Sequence, residues 1–413
     1  MRILFVEPGC DRQGHYGVYT VSLCQALAEL QHEVILCTNK VHPELYIREP
    51  ALFHVVEVKN GNLSFERLDE LKNRRPIYYS YGYLRNSFFV FKAALELARL
   101  GQFDVIHLTG TEFMVASLLL KRYAGNIPPV IIEIQAANFS FGAYPGPFFL
   151  RFYKVVQREV FRTTLQKEIR GIAVIGEFQK EKLKSQLRFG DDLPISVIPN
   201  AGSIPTQQLE KAAARKSVGL GDYPGTVFLF FGHIRKDKGI EYLLEAVSLL
   251  KSRDFRLLIA GAPRDYTEDR IRSLVGVEPG GTKIIVKLGY VPEGQVPLYF
   301  YACDALVLPY PKVYTGGSGP LVRGACSHHR ASIVTDVSDM GRLARTYGLG
   351  LVAEPENPSS LAGKLEEFMQ MPPARRQDMA DRALAFAEQS SWRVMAERFT
   401  DLYKAALQGA TRV

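Results

Sequence analysis

Apolar residues along this chain fall into short unbroken runs, separated by stretches in which apolar positions recur every three or four residues. Ile3–Glu7 is the first run and closes on Pro8-Gly9. Val21, Leu23, Leu27 and Leu30 then carry a helical stripe into a second run, Glu33–Cys37. Further runs at 105–108, 130–134, 172–175 and 195–198 alternate with helical stretches. The rhythm restarts with a strand at 227 and repeats at 256–260, 284–286, 305–308 and 332–334. Continuous apolar runs of this length suit strands buried on both faces, and their alternation with helices predicts parallel sheets covered on both sides. The expected fold is α/β, with two doubly wound Rossmann-like domains. Ligands of such sheets sit at the carboxyl ends of the strands, so the loops after Glu7, Leu108, Ile134 and Ile175 are the candidate floor of a cleft.

Turn-forming residues locate the boundary. Ile198-Pro-Asn-Ala-Gly-Ser-Ile-Pro205 leads into a basic helical segment (Glu210, Lys211, Arg215, Lys216) and a turn at 221–225. The expected division is 1–203 for the first domain, 204–386 for the second and 387–413 for a closing helix.

Composition narrows the class. The 413 residues are 47% hydrophobic, with mean hydropathy near zero, which describes a globular chain. No run reaches the length of a membrane span, and the first residues lead into a strand rather than a signal peptide, so the expected location is cytoplasmic. Cysteines 10, 24, 37, 303 and 326 show no CxxC pairing and read as reduced thiols. No Asp-x-Asp pair or His/carboxylate cluster stands at ligand spacing beside the expected cleft, so no metal and no cofactor are expected. A net charge of +8 suits an anionic partner.

The basic residues gather at particular places. Phe228–Phe231 breaks at Gly232, passes through His-Ile-Arg-Lys-Asp-Lys-Gly239, and resumes at helical spacing with Ile240, Leu243, Leu244 and Val247. Strand, glycine, basic loop and helix make an anion site. Helix-start N–H groups face the loop, and the macrodipole adds partial positive charge. Arg235, Lys236 and Lys238 add full charges, and Gly239 lets a phosphate approach the backbone. A solvated basic turn has the same composition, and the loop alone does not choose. A second loop, 311–320, sets Gly316-Gly-Ser-Gly319 ahead of a helix expected from about Leu321, a second backbone cradle or a plain turn. Two cradles in one domain suit a diphosphate. Two other stretches, 72–92 and 139–170, mix Tyr and Phe with Lys and Arg. They suit an anionic membrane surface, or else helices packed by their aromatics with solvated charges. No nucleic-acid-binding module accompanies them.

The following residues match one family in order and spacing: Gly14, His32-Glu-Val34, Phe103-Asp-Val-Ile-His107, Val197-Ile-Pro-Asn200, 231–239, Leu288-Gly-Tyr-Val-Pro292, 302–310, Ser318-Gly319 and Thr335-Asp336. Nearly the whole chain thus resembles the GT-B retaining glycosyltransferases of family 4 (glycosyl transferases group 1). The resemblance implies two domains facing across a cleft, with a nucleotide-sugar, of the UDP kind, as substrate in the second. A sugar or lipid-linked acceptor would lie in the first, with a final helix, like 392–407, crossing back to it. It implies that Lys238 and Arg235 act at the diphosphate. Donor contacts would come from Gly14, Gly232, Gly239, Tyr290, Val291, Gly317, Ser318, Gly319, Pro320 and Leu321, and acceptor contacts from His15, Tyr16, Gln135 and Asn138. The chain departs from the family pattern in three places. Gly316 and Gly324 stand where the Glu-x7-Glu element has its acids, and Gln135 stands where a histidine meets the transferred sugar. Ser318 and backbone N–H groups are the expected substitutes.

The leading expectation is therefore a metal-independent transferase in polysaccharide or glycolipid assembly, peripheral to the inner face of a membrane. A catalytically silent homologue acting as a partner or regulatory subunit is the alternative, and an epimerase or phosphorylase on a similar frame is a third.

Overall fold

The computed structural model describes residues 1–12, 15–42, 52–59, 64–71, 74–109, 113–134, 148–187, 193–251, 254–276 and 283–410. The chain forms two compact units. The first is Met1–Pro199 together with Trp392–Val413, and the second is Asn200–Ser391.

In the first unit the strands are β1 (Arg2–Val6), β2 (Glu33–Thr38), β3 (His54–Glu57), β4 (Val105–Leu108), β5 (Val130–Ile134), β6 (Ile169–Val174) and β7 (Ile195–Val197). They pair in parallel in the order β3-β2-β1-β4-β5-β6-β7. The helices are α1 (His15–Glu29), α2 (Phe65–Leu71), α3 (Pro76–Leu100), α4 (Phe113–Tyr123), α5 (Phe148–Lys167) and α6 (Glu177–Leu187). Alternate residues of each strand serve opposite faces. Leu4, Val6, Ile106, Leu108 and Ile132 meet Val90, Phe91 and Leu95 of α3, Leu120 of α4 and Phe161 of α5. On the other face Phe5 and His107 lie ring to ring 4.3 Å apart, and His107 meets Phe399 of the closing helix at 4.7 Å. His107 Nδ1 also hydrogen-bonds the Tyr403 hydroxyl at 2.6 Å. The last helix is thus part of the first unit.

The second unit carries β8 (Thr226–Phe231), β9 (Phe255–Gly261), β10 (Ile284–Leu288), β11 (Ala305–Leu308), β12 (Ala331–Thr335) and β13 (Gly350–Ala353), all parallel, in the order β10-β9-β8-β11-β12-β13. Its helices are α7 (Lys211–Ser217), α8 (Ile240–Ser248), α9 (Glu268–Val275), α10 (Val296–Ala302), α11 (Met340–Tyr347), α12 (Pro358–Gln370) and α13 (Pro373–Gln389). The closing helix of the first unit is α14 (Trp392–Ala410). Phe228 and Phe230 bury one face of β8 with α8 and α12, while Val227 and Leu229 bury the other with α10 and α13.

The sequence periodicity misses β3 and β13. Both are four-residue edge strands, β3 with only two apolar residues and β13 with a run of three behind Gly350, too short to stand out as a strand. The helix expected from Leu321 is instead a six-residue π-type turn, Pro320–Ala325, followed by a 3-10 turn, Cys326–His328. Strand order reverses between β8 and β11, so the loops after these neighbouring strands flank the crevice where a doubly wound sheet takes its ligands.

Candidate functional site: a lysine over two tyrosine rings at the switch point of the second sheet

β8 ends at Phe231, and Gly232 follows with φ 108°. The loop then runs extended beside the segment after β9. Gly232 N–H donates to Ala260 O at 2.9 Å, Ile234 N–H to Ala262 O at 2.9 Å, and Arg264 N–H to Ile234 O at 3.0 Å. One 3-10 turn, Lys236–Lys238, leads to Gly239 in the left-handed region (φ 68°), and α8 begins. A Cβ on Gly239 would overlap the Pro309 carbonyl oxygen. The glycine therefore lets the start of α8 press against the end of β11, a packing role that local sequence does not announce.

That packing places Lys238 over two rings. Its Nζ lies 3.8 Å from the centroid of Tyr310 and 4.2 Å from that of Tyr314, and the rings meet edge-on at 4.6 Å. Burial holds the ammonium well below the usual lysine range, Arg235 pushes the same way, and Asp237 partly opposes them. Asp237 is itself occupied, because Arg235 Nε and Nη2 donate to its two carboxylate oxygens at 2.8 and 2.9 Å. His233 lies 3.4 Å from the Arg264 guanidinium. Burial, then Arg264, Arg235 and Lys238, push its imidazole down to about 4, so it is neutral at pH 7. Lys236 faces solvent, and its backbone N–H donates to Asp265 at 3.1 Å.

The glycine loop is held in part by hydrogen bonds of its own. Ser318 is buried, and its Oγ accepts from Leu321 N–H at 3.3 Å and lies 3.4 Å from the Tyr310 hydroxyl. Val322 N–H donates to Ser318 O at 3.3 Å, and Pro320 has no N–H to offer. The Tyr314 hydroxyl donates to Gly317 O. The Ser318 hydroxyl and the N–H groups of Leu321 and Val322 thus have partners within the protein. Gly324 lies buried under Phe300, whose ring a Cβ would overlap. Phe300 stacks on His328 at 5.2 Å, and His328 Nδ1 hydrogen-bonds Gly324 O at 2.7 Å.

The structure thus brings Gly232, Arg235, Lys238, Gly239 and the 317–321 loop to one crevice. A Cβ on Gly232 would stand 3.5 Å from Pro320 Cγ. Tyr290 and Val291 follow β10, at the sheet's edge two strands from β8. Gly14, Gln135 and Asn138 lie outside the described residues, as do the side chains of His15 and Tyr16. Sequence reasoning missed Tyr310 and Tyr314 as partners of Lys238, Asp237 as the clamp on Arg235, and Arg264. An aromatic residue at the end of a strand beside a glycine loop was the one local signal.

The carboxyl end of the first sheet carries acids. Glu7 Oε1 accepts from Gly9 N–H at 2.7 Å, Asp11 from Phe65 N–H at 2.7 Å, and Glu133 from the Tyr19 hydroxyl at 2.8 Å, all three acids being buried. Burial raises Glu7 to about 7 and Asp11 to about 6. Among the described residues no group of three or more His, Cys, Asp or Glu gathers as a metal site, and no helix is long and apolar enough to cross a membrane.

Comparison with known proteins places this geometry. The sequence model of Glycosyltransferase Family 4 matches residues 16–201, and that of Glycosyl transferases group 1 matches residues 225–371. The D-inositol 3-phosphate glycosyltransferase of Pseudarthrobacter chlorophenolicus is 24% identical over 430 residues, covering 97% of this chain and 92% of that protein. The sucrose-phosphate synthase of Thermosynechococcus elongatus superposes with a TM-score of 0.75 at 18% identity, over 99% of both chains. Anabaena HepE, solved in complex with UDP and glucose, superposes with a TM-score of 0.71 at 13% identity, over 98% of this chain and 100% of that one. With one matched model on each sheet and the GT-B fold throughout, the chain belongs to the group 1 glycosyltransferases of family 4.

Proposed function

We propose that the chain moves a sugar from a nucleotide-sugar to an acceptor hydroxyl with retention of configuration and without a metal. The observation that carries this reading is Lys238, a half-buried lysine at the switch point whose ammonium lies over two ring faces. A diphosphate seated there would supply the negative charge this position lacks. In the transfer, the bond from the sugar's anomeric carbon to the leaving phosphate oxygen breaks, and the bond to the acceptor oxygen forms on the same face. The acceptor's proton passes to a phosphate oxygen. Negative charge grows on the leaving diphosphate, where Lys238, Arg235 and the start of α8 stabilise it. The solved UDP complex of HepE puts UDP first among the nucleotides to be tried. The first unit would take a sugar or lipid-linked acceptor, in polysaccharide or glycolipid assembly. The buried free thiols suit a reducing, cytoplasmic compartment.

The experiment is a thermal-shift panel of nucleoside diphosphates and nucleotide-sugars, since a ligand of the native state raises the melting temperature by mass action. Any binder is followed by NMR of the product's anomeric proton. No shift with any diphosphate sinks the reading, and an inverted product sinks retention. Activity abolished by EDTA and restored by magnesium or manganese sinks metal independence. A second reading, a catalytically silent homologue acting as a partner, is favoured by Gly324, where Phe300 leaves no room for a carboxylate. Diphosphate binding with no sugar turnover would select it.

A further inference from the structure

Helix α3 is twenty-five residues long, about 37 Å at 1.5 Å per residue, yet β4, the strand it returns to, has four residues and spans about 13 Å. Its second half lies against the sheet through Val90, Phe91, Ala94 and Leu95. Its first half rests on α2. Tyr83 meets Phe65 edge-on at 5.4 Å, and Gly82 lies close against Leu68. The outer face of this overhang is apolar. Ile77 (86% exposed), Tyr81 (63%), Leu84 and Phe88 recur at four, seven and eleven residues along one helical stripe, with Tyr78 beside them. The exposed Arg74, Arg75 and Arg85 flank the stripe, and the sequence holds no acid from 74 to 95.

Helix α5 opens the same way, with Phe148 (76% exposed) and Phe152 (60%) one turn apart. Both helices enter parallel strands of one sheet and share the core on one of its faces, so both begin at the sheet's carboxyl end. Two apolar helix starts therefore project from the same end of the unit. A stripe of large apolar residues open to water, bordered by arginines and without intervening acid, fits the interface between anionic headgroups and acyl chains.

We propose that the outer face of α3, with the first turn of α5, docks on the anionic surface of a phospholipid bilayer. The proposal is independent of the sugar-transfer reading. Vesicle cosedimentation tests it, comparing phosphatidylglycerol-containing with pure phosphatidylcholine vesicles at low and high salt. The wild type is compared with Arg74→Gln/Arg75→Gln/Arg85→Gln and with Ile77→Ser/Tyr81→Ser/Phe88→Ser.

Wild type should bind the anionic vesicles and not the neutral ones at low salt. Each arginine near such a surface is worth about fivefold in partition, so the triple glutamine variant should bind about a hundredfold more weakly. The triple serine variant should lose the part of the binding that survives high salt. Binding of nucleoside diphosphates, measured on the same preparations, should be unchanged, which separates failure of this proposal from failure of the donor site. If the serine variant does not fold, the glutamine variant, altered only at exposed positions, carries the test. Wild type that ignores anionic vesicles at low salt overturns the proposal, as do variants that bind like wild type. A concentration-dependent dimer abolished by the serine substitutions, without vesicle binding, also overturns it and assigns the face to a second copy of the chain.

Discussion

At the carboxyl end of the second sheet a half-buried lysine lies over two tyrosine rings, while at the carboxyl end of the first three carboxyl groups are buried. Both regions sit on the same parallel frame, and burial drives the affected groups the same way, towards neutrality: Lys238 down, Glu7 and Asp11 up. They differ in what surrounds the charge. Glu7 and Asp11 accept backbone N–H groups, and Glu133 accepts a tyrosine hydroxyl, so the acids tie loops and helices to the sheet. Lys238 meets ring faces, and the nearest acid, Asp237, is clamped on Arg235. Each acid has at least one hydrogen-bond donor of the protein, whereas the ammonium of Lys238 lies over ring faces, a position that suits an anionic ligand.

The largest way to break this contrast is Gly239→Ala. A left-handed backbone and overlap with the Pro309 carbonyl together should cost about 3–5 kcal/mol of stability in urea unfolding and take diphosphate binding with them. A cost under about 1 kcal/mol would show that the close approach is not needed.

Next comes Glu7→Gln. Glu7 titrates at about 7 in the folded protein against 4.5 as its ordinary value, so between these the folded state holds more protons. Wild-type stability should therefore fall as pH rises from about 4.5 to about 7. Glutamine cannot ionise but still accepts from Gly9 N–H, so its advantage should grow across that window to at most about 3 kcal/mol. Parallel pH–stability curves for the two proteins would refute the assignment.

Lys238→Met should weaken nucleoside diphosphate binding about ten- to a hundredfold by calorimetry, the scale of one charge-assisted hydrogen bond. Yet its melting temperature should not fall below that of wild type. Methionine packs on the same rings, and removing a half-buried cation offsets the lost attraction to their faces. A destabilised variant with intact binding would make Lys238 structural, like the acids of the first sheet.

The smallest effect sharpens the comparison. Asp237→Asn should release Arg235 and raise diphosphate affinity about three- to tenfold, with Lys236→Ala as a neutral control. Weaker binding in Asp237→Asn would mean that the clamp holds Arg235 in its working position.

Much of the fold is legible in the sequence. The runs 105–108, 130–134 and 305–308 are strands over those same residues, because a strand buried on both faces is mostly apolar, although β4 and β5 each carry one buried polar residue, His107 and Glu133. Legibility fails at the two short edge strands β3 and β13 and at the 311–328 segment. There Gly324 admits the Phe300 ring, and Ser318 turns inward to bond Leu321 N–H, neither of which composition reveals. The site was half legible. The loop 232–239 announced its charge, but its partners Tyr310 and Tyr314 lie more than seventy residues further on.

The sequence by itself determined the alternation of strand and helix, the break at Gly232, the cluster of basic residues and the family pattern. Each is written in near neighbours: in short apolar runs, in helical stripes at a period of about 3.6 residues, or in ordered short motifs. Only the tertiary structure decided which of these charges is available. It pressed Gly239 against Pro309, set Lys238 over two rings, clamped Arg235 on Asp237 and turned Ser318 inward. A side chain's protonation and its free hydrogen bonds depend on burial and on neighbours distant in the chain. The doubly wound topology brings those neighbours together at the strand ends.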